Sequence, residues 1–340
     1  MTVPETSPPP AAAPGWSQEA AHHPRNEAQA VAGPDLVARV LEPSPPAVLD
    51  SWYADDPVAA PTRGRVLGPV TSADVTWQQW VDSHPDRAVW AAERWLGAYR
   101  RLPAPPAAIV QTRLALHRLA AYVVSPARRR VNGKIALRWT LGGIGTPFFG
   151  PDEQVRIADT TLVRQRGGVA ATAPITSLRD AAAFILDGPP DTAWAAEFDV
   201  PPAGGVDEHL PVDGDAAAFL ADWYGFAYSV LEQLRSEPEC AEPSRLQLWP
   251  EHFDAAFDCA AGGHRVTFGA SPGDATVNGP YLYVLPDATD DSGLWNATSF
   301  PGAILELDEL LDAADQRAHA LAFYRARRDA VAGHEPGDGT

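Results

Sequence analysis

His252 and Asp254 stand two residues apart in the segment Trp249-Pro-Glu-His-Phe-Asp254. On an extended strand that spacing puts both side chains on one face. A carboxylate beside an imidazole fixes its tautomer and orientation, as acid–base or metal chemistry requires. Asp274, in the turn Phe268-Gly-Ala-Ser-Pro-Gly-Asp274, offers a third polar group. Alternation along a strand from Leu246 to Cys259 sets Trp249, Glu251, Phe253, Ala255, Phe257 and Cys259 against Leu248, His252, Asp254, Ala256 and Asp258. The first set reads as core through Phe253, Phe257 and Cys259, and the second as a polar face. With the strand Pro280-Tyr-Leu-Tyr283, the binding candidates are Trp249, His252, Asp254, Asp274, Tyr281 and Tyr283.

Other motifs carry less chemistry. Gly269-Ala-Ser-Pro-Gly273 matches the letters of a hydrolase nucleophile elbow. The residue after Ser271 is proline, which has no N–H to give an oxyanion hole, and turn residues follow where a helix is needed. Gly142-Gly-Ile-Gly145 has the wrong spacing for a dinucleotide fingerprint and reads as a bulge or turn. Arg128, Arg130 and Arg138 belong to the one basic cluster, an anion-site candidate for phosphate or carboxylate. No metal-ligand motif is found, and the sequence identifies no cofactor.

A net charge of -18 opposes binding to phosphate backbones and anionic lipids, so neither nucleic acid nor membrane is an expected partner. Cys240 and Cys259 are too few for a disulfide framework or a zinc site and read as reduced, partly buried thiols. Without a basic n-region followed by an apolar run, or a long apolar stretch, the expected location is the cytoplasm. The Asn296-Ala-Thr298 sequon then has no modifying pathway.

The elements that must position these residues divide the chain unevenly. Thirteen of the 34 prolines fall in the first seventy residues, so 1–48 reads as a disordered Pro/Ala-rich tail. Residues 49–332 read as one globular body with halves at about 70–190 and 213–332, and 333–340 as a second disordered tail. Helices are expected from Asp86 to Arg100, with Trp77, Trp80, Trp90 and Trp95 as packing anchors, and from Ala107 to Val124, stopped by Ser125-Pro126. Strands follow over Ile135–Leu141, Thr146–Phe149, Val155–Ile157 and Thr161–Arg164, then a helix from Ser177. After a Pro- and acid-rich connection from Asp187 to Asp213, an amphipathic helix spans Asp215 to Ser236. Strands over Leu246–Cys259, Val266–Ala270 and Tyr281–Leu285 and a helix over Ala303–Val331 close the chain. The order helix, strands, helix occurs twice. The fold class is therefore α+β, with antiparallel sheets covered by helices in two similar halves.

At Trp249-Pro-Glu-His-Phe-Asp254, Phe268-Gly-Ala-Ser-Pro-Gly-Asp274 and Pro280-Tyr-Leu-Tyr283, the chain resembles an uncharacterised bacterial family known as a domain of unknown function. The resemblance implies a fold grouping and transfers no chemistry. Two functions are expected. The first is a binding or accessory module whose aromatic strands hold a small molecule or protein. The alternative is a small-molecule enzyme using His252 as acid or base, oriented by Asp254 or Asp274. Oligomeric state is not legible.

Overall fold

The structure, a computed structural model, describes residues 102–333 apart from 141–142, 148, 150–152, 167–168, 197, 199, 236, 288 and 290–292. The tail over 1–48, the helix over Asp86 to Arg100, the four early tryptophans and the 334–340 part of the second tail lie outside the described residues.

Helix α1 runs Ile109–Leu119 and passes through one π-helical turn, Ala120–Val124, into α2, Ser125–Asn132. The expected stop at Ser125-Pro126 does not occur. Pro126 has no N–H for the carbonyl of Tyr122 four residues earlier, and the wider π turn accommodates the mismatch. The Tyr122 carbonyl accepts instead from the backbone N–H of Asp191, at 3.0 Å. A partner from a distant loop thus replaces the bond that should have ended the helix.

The first sheet is an antiparallel meander of β1 (Arg138–Thr140), β2 (Gly143–Gly145), β3 (Glu153–Ala158), β4 (Thr161–Arg166) and β5 (Val169–Pro174). Two expectations need correction. The glycine run read as a turn is strand β2, because β3 lies so close that a Cβ on Gly143 would overlap the Ile157 carbonyl. Of Thr146 to Phe149, read as a strand, Thr146 keeps a backbone bond to the Val155 carbonyl and Phe149 a bridge to Glu153, with no strand formed between β2 and β3. Strand β5 has three alanines among its six residues, which dilute the β-branched signal of Val169 and Thr172.

Helix α3 (Leu178–Leu186) begins as expected, with Ser177 Oγ accepting from the Asp180 N–H at 3.1 Å. The long connection contains the short α4 (Thr192–Ala195) and leads to α5 (Gly214–Arg235). Helix α5 is buried on nearly every side, with Trp223, Tyr224, Phe226, Val230 and Leu234 almost wholly occluded. It packs against β1 and β2 of the first sheet and also against the second sheet, which explains an apolar surface wider than one stripe.

The second sheet repeats the meander with β6 (Gln247–Trp249), β7 (Asp254–Ala261), β8 (His264–Ser271), β9 (Tyr281–Pro286) and β10 (Ala303–Glu306). Residues Ala303–Glu306, expected at the start of a helix, pair with β9 instead. The rest of that helix is two pieces, α6 (Leu307–Asp312) and α7 (Gln316–Ala332), the second capped by Asp315. The sheets meet at their first strands, where Leu137 and Leu248 exchange backbone hydrogen bonds of 2.7 and 2.9 Å in antiparallel sense. The fold is α+β, two five-stranded antiparallel sheets around a shared helical core. Among the described residues, no helix is long and apolar enough to cross a membrane.

One face of the second sheet is core. Leu248, Ala255, Phe257, Cys259, Val266, Phe268, Ala270, Leu282 and Val284 are all at most 1% exposed, and Phe268 meets Tyr324 of α7 edge to face. Polar and aromatic side chains occupy the opposite face.

Candidate functional site

The segment from Leu246 to Cys259 is not one strand. Strand β6 ends at Trp249, and a four-residue turn, Pro250 to Phe253, reverses the chain into β7, so that Trp249 pairs with Asp254. The Phe253 N–H donates to the Trp249 carbonyl at 2.7 Å. Phe253 itself has φ +56°, a left-handed conformation costly for a bulky side chain. Three contacts hold it there. Tyr224 Oη donates to its carbonyl at 2.5 Å, His117 stacks on its ring, and Tyr224 meets that ring edge-on.

This reversal corrects the expected face assignment. Trp249 shares a face with Asp254, not with Phe257, and His252 sits exposed in the turn. No hydrogen bond joins His252 to Asp254, so the expected dyad on one strand face is not formed. Alternation within β7 is as expected: Ala255, Phe257 and Cys259 point into the core and Asp254, Ala256 and Asp258 away from it.

A row of side chains crosses the polar face. Trp249 pairs with Asp254, continuation of the Ala255–Ala270 register brings Ser271 alongside, Ser271 pairs with Tyr281, and Tyr281 with Glu306. In the next row Tyr283 pairs with Gly269. A Cβ at Gly269 would overlap the Tyr283 ring, so the phenol lies across strand β8 where a side chain is missing. Its hydroxyl reaches β7 and donates to Oδ2 of Asp254. Phe300 meets the same ring edge-on, with centroids 6.3 Å apart.

Asp254 is the unusual member. It is 7% exposed, and its Oδ1 has no hydrogen-bond partner among the described residues. Burial pushes its pKa up, against the pull of His252 and the Tyr283 hydroxyl. Glu251, in the adjacent turn, is also raised by burial, and its Oε2 lacks a partner among the described residues. Tyr283 is held neutral, well above its ordinary range, by burial and then by the Asp254 charge.

Asp274 is fully engaged in its own loop. Its Oδ1 accepts from the N–H groups of Thr276 and Val277 at 2.6 and 2.8 Å, and its Oδ2 accepts from Tyr281 Oη at 2.5 Å. The Arg113 guanidinium of α1 donates to the carbonyls of Pro272, Asn278 and Asp274. One turn further along α1, His117 Nε2 donates to the Pro250 carbonyl at 2.9 Å. Burial pushes His117 down to about 4, so the ring is neutral at pH 7. Arg113 and His117 therefore fix two loops at one end of the second sheet from a helix of the first half. Sequence reasoning named neither, although four residues on a helix put two side chains on one face. Gly269 was placed in the strand Val266–Ala270 and in the turn after it, with no role toward Tyr283.

The basic candidates do not converge. Arg128 is buried and donates to the Ala136 carbonyl at 2.7 Å. Arg130 is exposed, 3.6 Å from Asp191. Two residues apart on one helix, they point about 200° apart. Arg138 lies on β1, with Nε donating to the Trp139 carbonyl at 3.2 Å. Among the described residues, no group of three His, Cys, Asp or Glu side chains is arranged to hold a metal ion. The cavity between α1, α5 and the Phe253 turn, lined by Leu116, Ile144, Leu220 and Tyr224, measures about 10 Å³, scarcely room for one water. Comparison of the chain with family models, curated proteins and solved structures gives no match.

Proposed function

We propose that this chain is a binding module that meets a protein partner through the polar face of its second sheet. The observation that carries the reading is the row Trp249, Asp254, Ser271, Tyr281 and Glu306 on the side of the sheet opposite its core, with half-buried Trp249 and exposed Glu306 at its ends and Asp254, Ser271 and Tyr281 buried between them. Four strand spacings of about 4.8 Å make that row roughly 19 Å wide, a span suited to a polypeptide more than to a metabolite. Half-buried Trp249, Tyr283 and Ile304 supply apolar contact, and aromatic residues are favoured anchors at such surfaces. The acid–base alternative, His252 oriented by Asp254 or Asp274, finds less support: among the described residues Asp254 accepts from Tyr283, and Asp274 from Thr276, Val277 and Tyr281.

The test is native mass spectrometry of the chain purified from its native cells. A bound protein mass is expected, lost in a Tyr283→Ala/Ile304→Asp double variant and retained in Val131→Asp, an exposed position on α2. Absence of a bound mass, or one indifferent to the double variant, overturns the reading.

A further inference from the structure

We infer that Asp254, between Trp249 and Tyr283, is the seat for a guanidinium group of an arginine on that partner. The inference rests on the binding-module reading and names the chemistry its central contact recognises. Asp254 has the partners a structural carboxylate would need for only one of its two oxygens. Tyr283 donates to Oδ2, while Oδ1, in a residue 7% exposed, meets no donor among the described residues. Leaving a buried acceptor unmade is costly, and a donor arriving with a ligand removes that cost.

The walls of the site select a cation. Trp249 is the cross-strand neighbour of Asp254, within about 5.5 Å between Cβ atoms for such a pair. Tyr283 closes the other side by lying across Gly269. An indole beside a carboxylate attracts a positive group through its ring quadrupole in addition to the carboxylate's charge. Of the nearby charged side chains, His252 acts on Asp254 through its charge but makes no hydrogen bond to it. Arg113 spends its guanidinium on three loop carbonyls, and Arg265 is at the far end of β8. Glu251 adds a second carboxylate with an unmet oxygen in the adjoining turn. The chain's net charge of -18 favours approach of a basic partner.

Arginine fits better than lysine. Its planar guanidinium stacks on aromatic rings, is weakly hydrated, and offers several donors to a carboxylate. Seating it requires the Tyr283 ring to turn off Gly269, which exposes the carboxylate that the phenol now covers.

The full chain would be titrated by calorimetry with N-acetyl-arginine amide, N-acetyl-lysine amide and N-acetyl-citrulline amide. Saturable binding of the arginine probe is expected, at least tenfold tighter than the uncharged citrulline probe and several-fold tighter than the lysine probe. Asp254→Asn should weaken the arginine probe at least tenfold, and Trp249→Leu several-fold without touching the carboxylate. Asp207→Asn, in an exposed pair with Arg179, should change nothing. Equal binding of arginine and citrulline probes, or full binding of the arginine probe by Asp254→Asn, overturns the guanidinium seat. If a bound protein mass persists and still depends on Tyr283 and Ile304 while the arginine probe fails, the seat falls and the binding module stands. If both fail, both readings fall.

Discussion

His117 stacks on Phe253 with ring centroids 4.9 Å apart and planes 9° apart, joining a helix of the first half to a turn of the second. Its Nε2 donates to Pro250 in the same turn, and burial holds the ring neutral. Phe253, at φ +56°, keeps its conformation because the neighbours on this side and Tyr224 on the other fix it.

Acid should therefore loosen this contact. The imidazole titrates at about 4 in the folded chain and near 6.5 unfolded, so between those values the unfolded chain binds the extra proton. The contribution of neutral His117 is complete above pH 6.5 and falls as the pH drops toward 4. Relative to His117→Gln, the wild type should lose on the order of 2–3 kcal/mol between pH 7.5 and 4.5. Urea melts of both proteins across that range measure it, and parallel pH profiles would refute it.

Gly269→Ala should act through Tyr283. The new methyl overlaps the phenol, so the ring must leave the face and the Asp254 hydrogen bond is lost. Overpacking of this kind costs about 1–3 kcal/mol. In a Tyr283→Ala background the same change should cost little, because the space is vacant. A double-mutant cycle by chemical denaturation reads the coupling, and additive losses would contradict the geometry.

What was legible in the sequence followed from local rules. Ser177 as a cap, the helical apolar run of α5 and the alternation of Ala255, Phe257 and Cys259 depend on neighbours along the chain. What was missed depends on distant contacts. Pro126 looks like a helix stop until Asp191 supplies a donor for Tyr122. Gly143 to Gly145 look like a turn until β3 approaches too closely for side chains. Pro250 to Phe253 read as strand because Phe253 is an unfavourable residue for a left-handed position, and only Tyr224 and His117 keep it there. That single turn moved Trp249 to the Asp254 face and His252 out of the expected pair.

Cys240 and Cys259 are both buried and share a side-chain hydrogen bond. That bond, then burial, raises the Cys259 thiol far above its ordinary range, so the reactive thiolate is suppressed. Ellman's reagent should find no reactive thiol in the native chain and two after denaturation. Prompt native labelling would show that one of these sulfurs is reached from solvent.

Asp254→Asn distinguishes a carboxylate kept for recognition from one kept for the fold. Burial raises the folded pKa of Asp254 above its ordinary 3.8, so the folded chain retains a proton that the unfolded chain releases as pH rises. Stability linked to this group is therefore highest at low pH and declines as pH climbs through the folded value. Asparagine keeps an oxygen for the Tyr283 hydroxyl and removes the charge. At pH 7 the variant should be more stable than wild type by on the order of 1 kcal/mol. The gain should shrink as pH falls toward 3.8. Urea melts at several pH values measure the difference. A loss of several kcal/mol at pH 7 would make Asp254 a structural keystone, whereas a gain in stability together with a loss of arginine binding is what a site maintained at the expense of stability predicts.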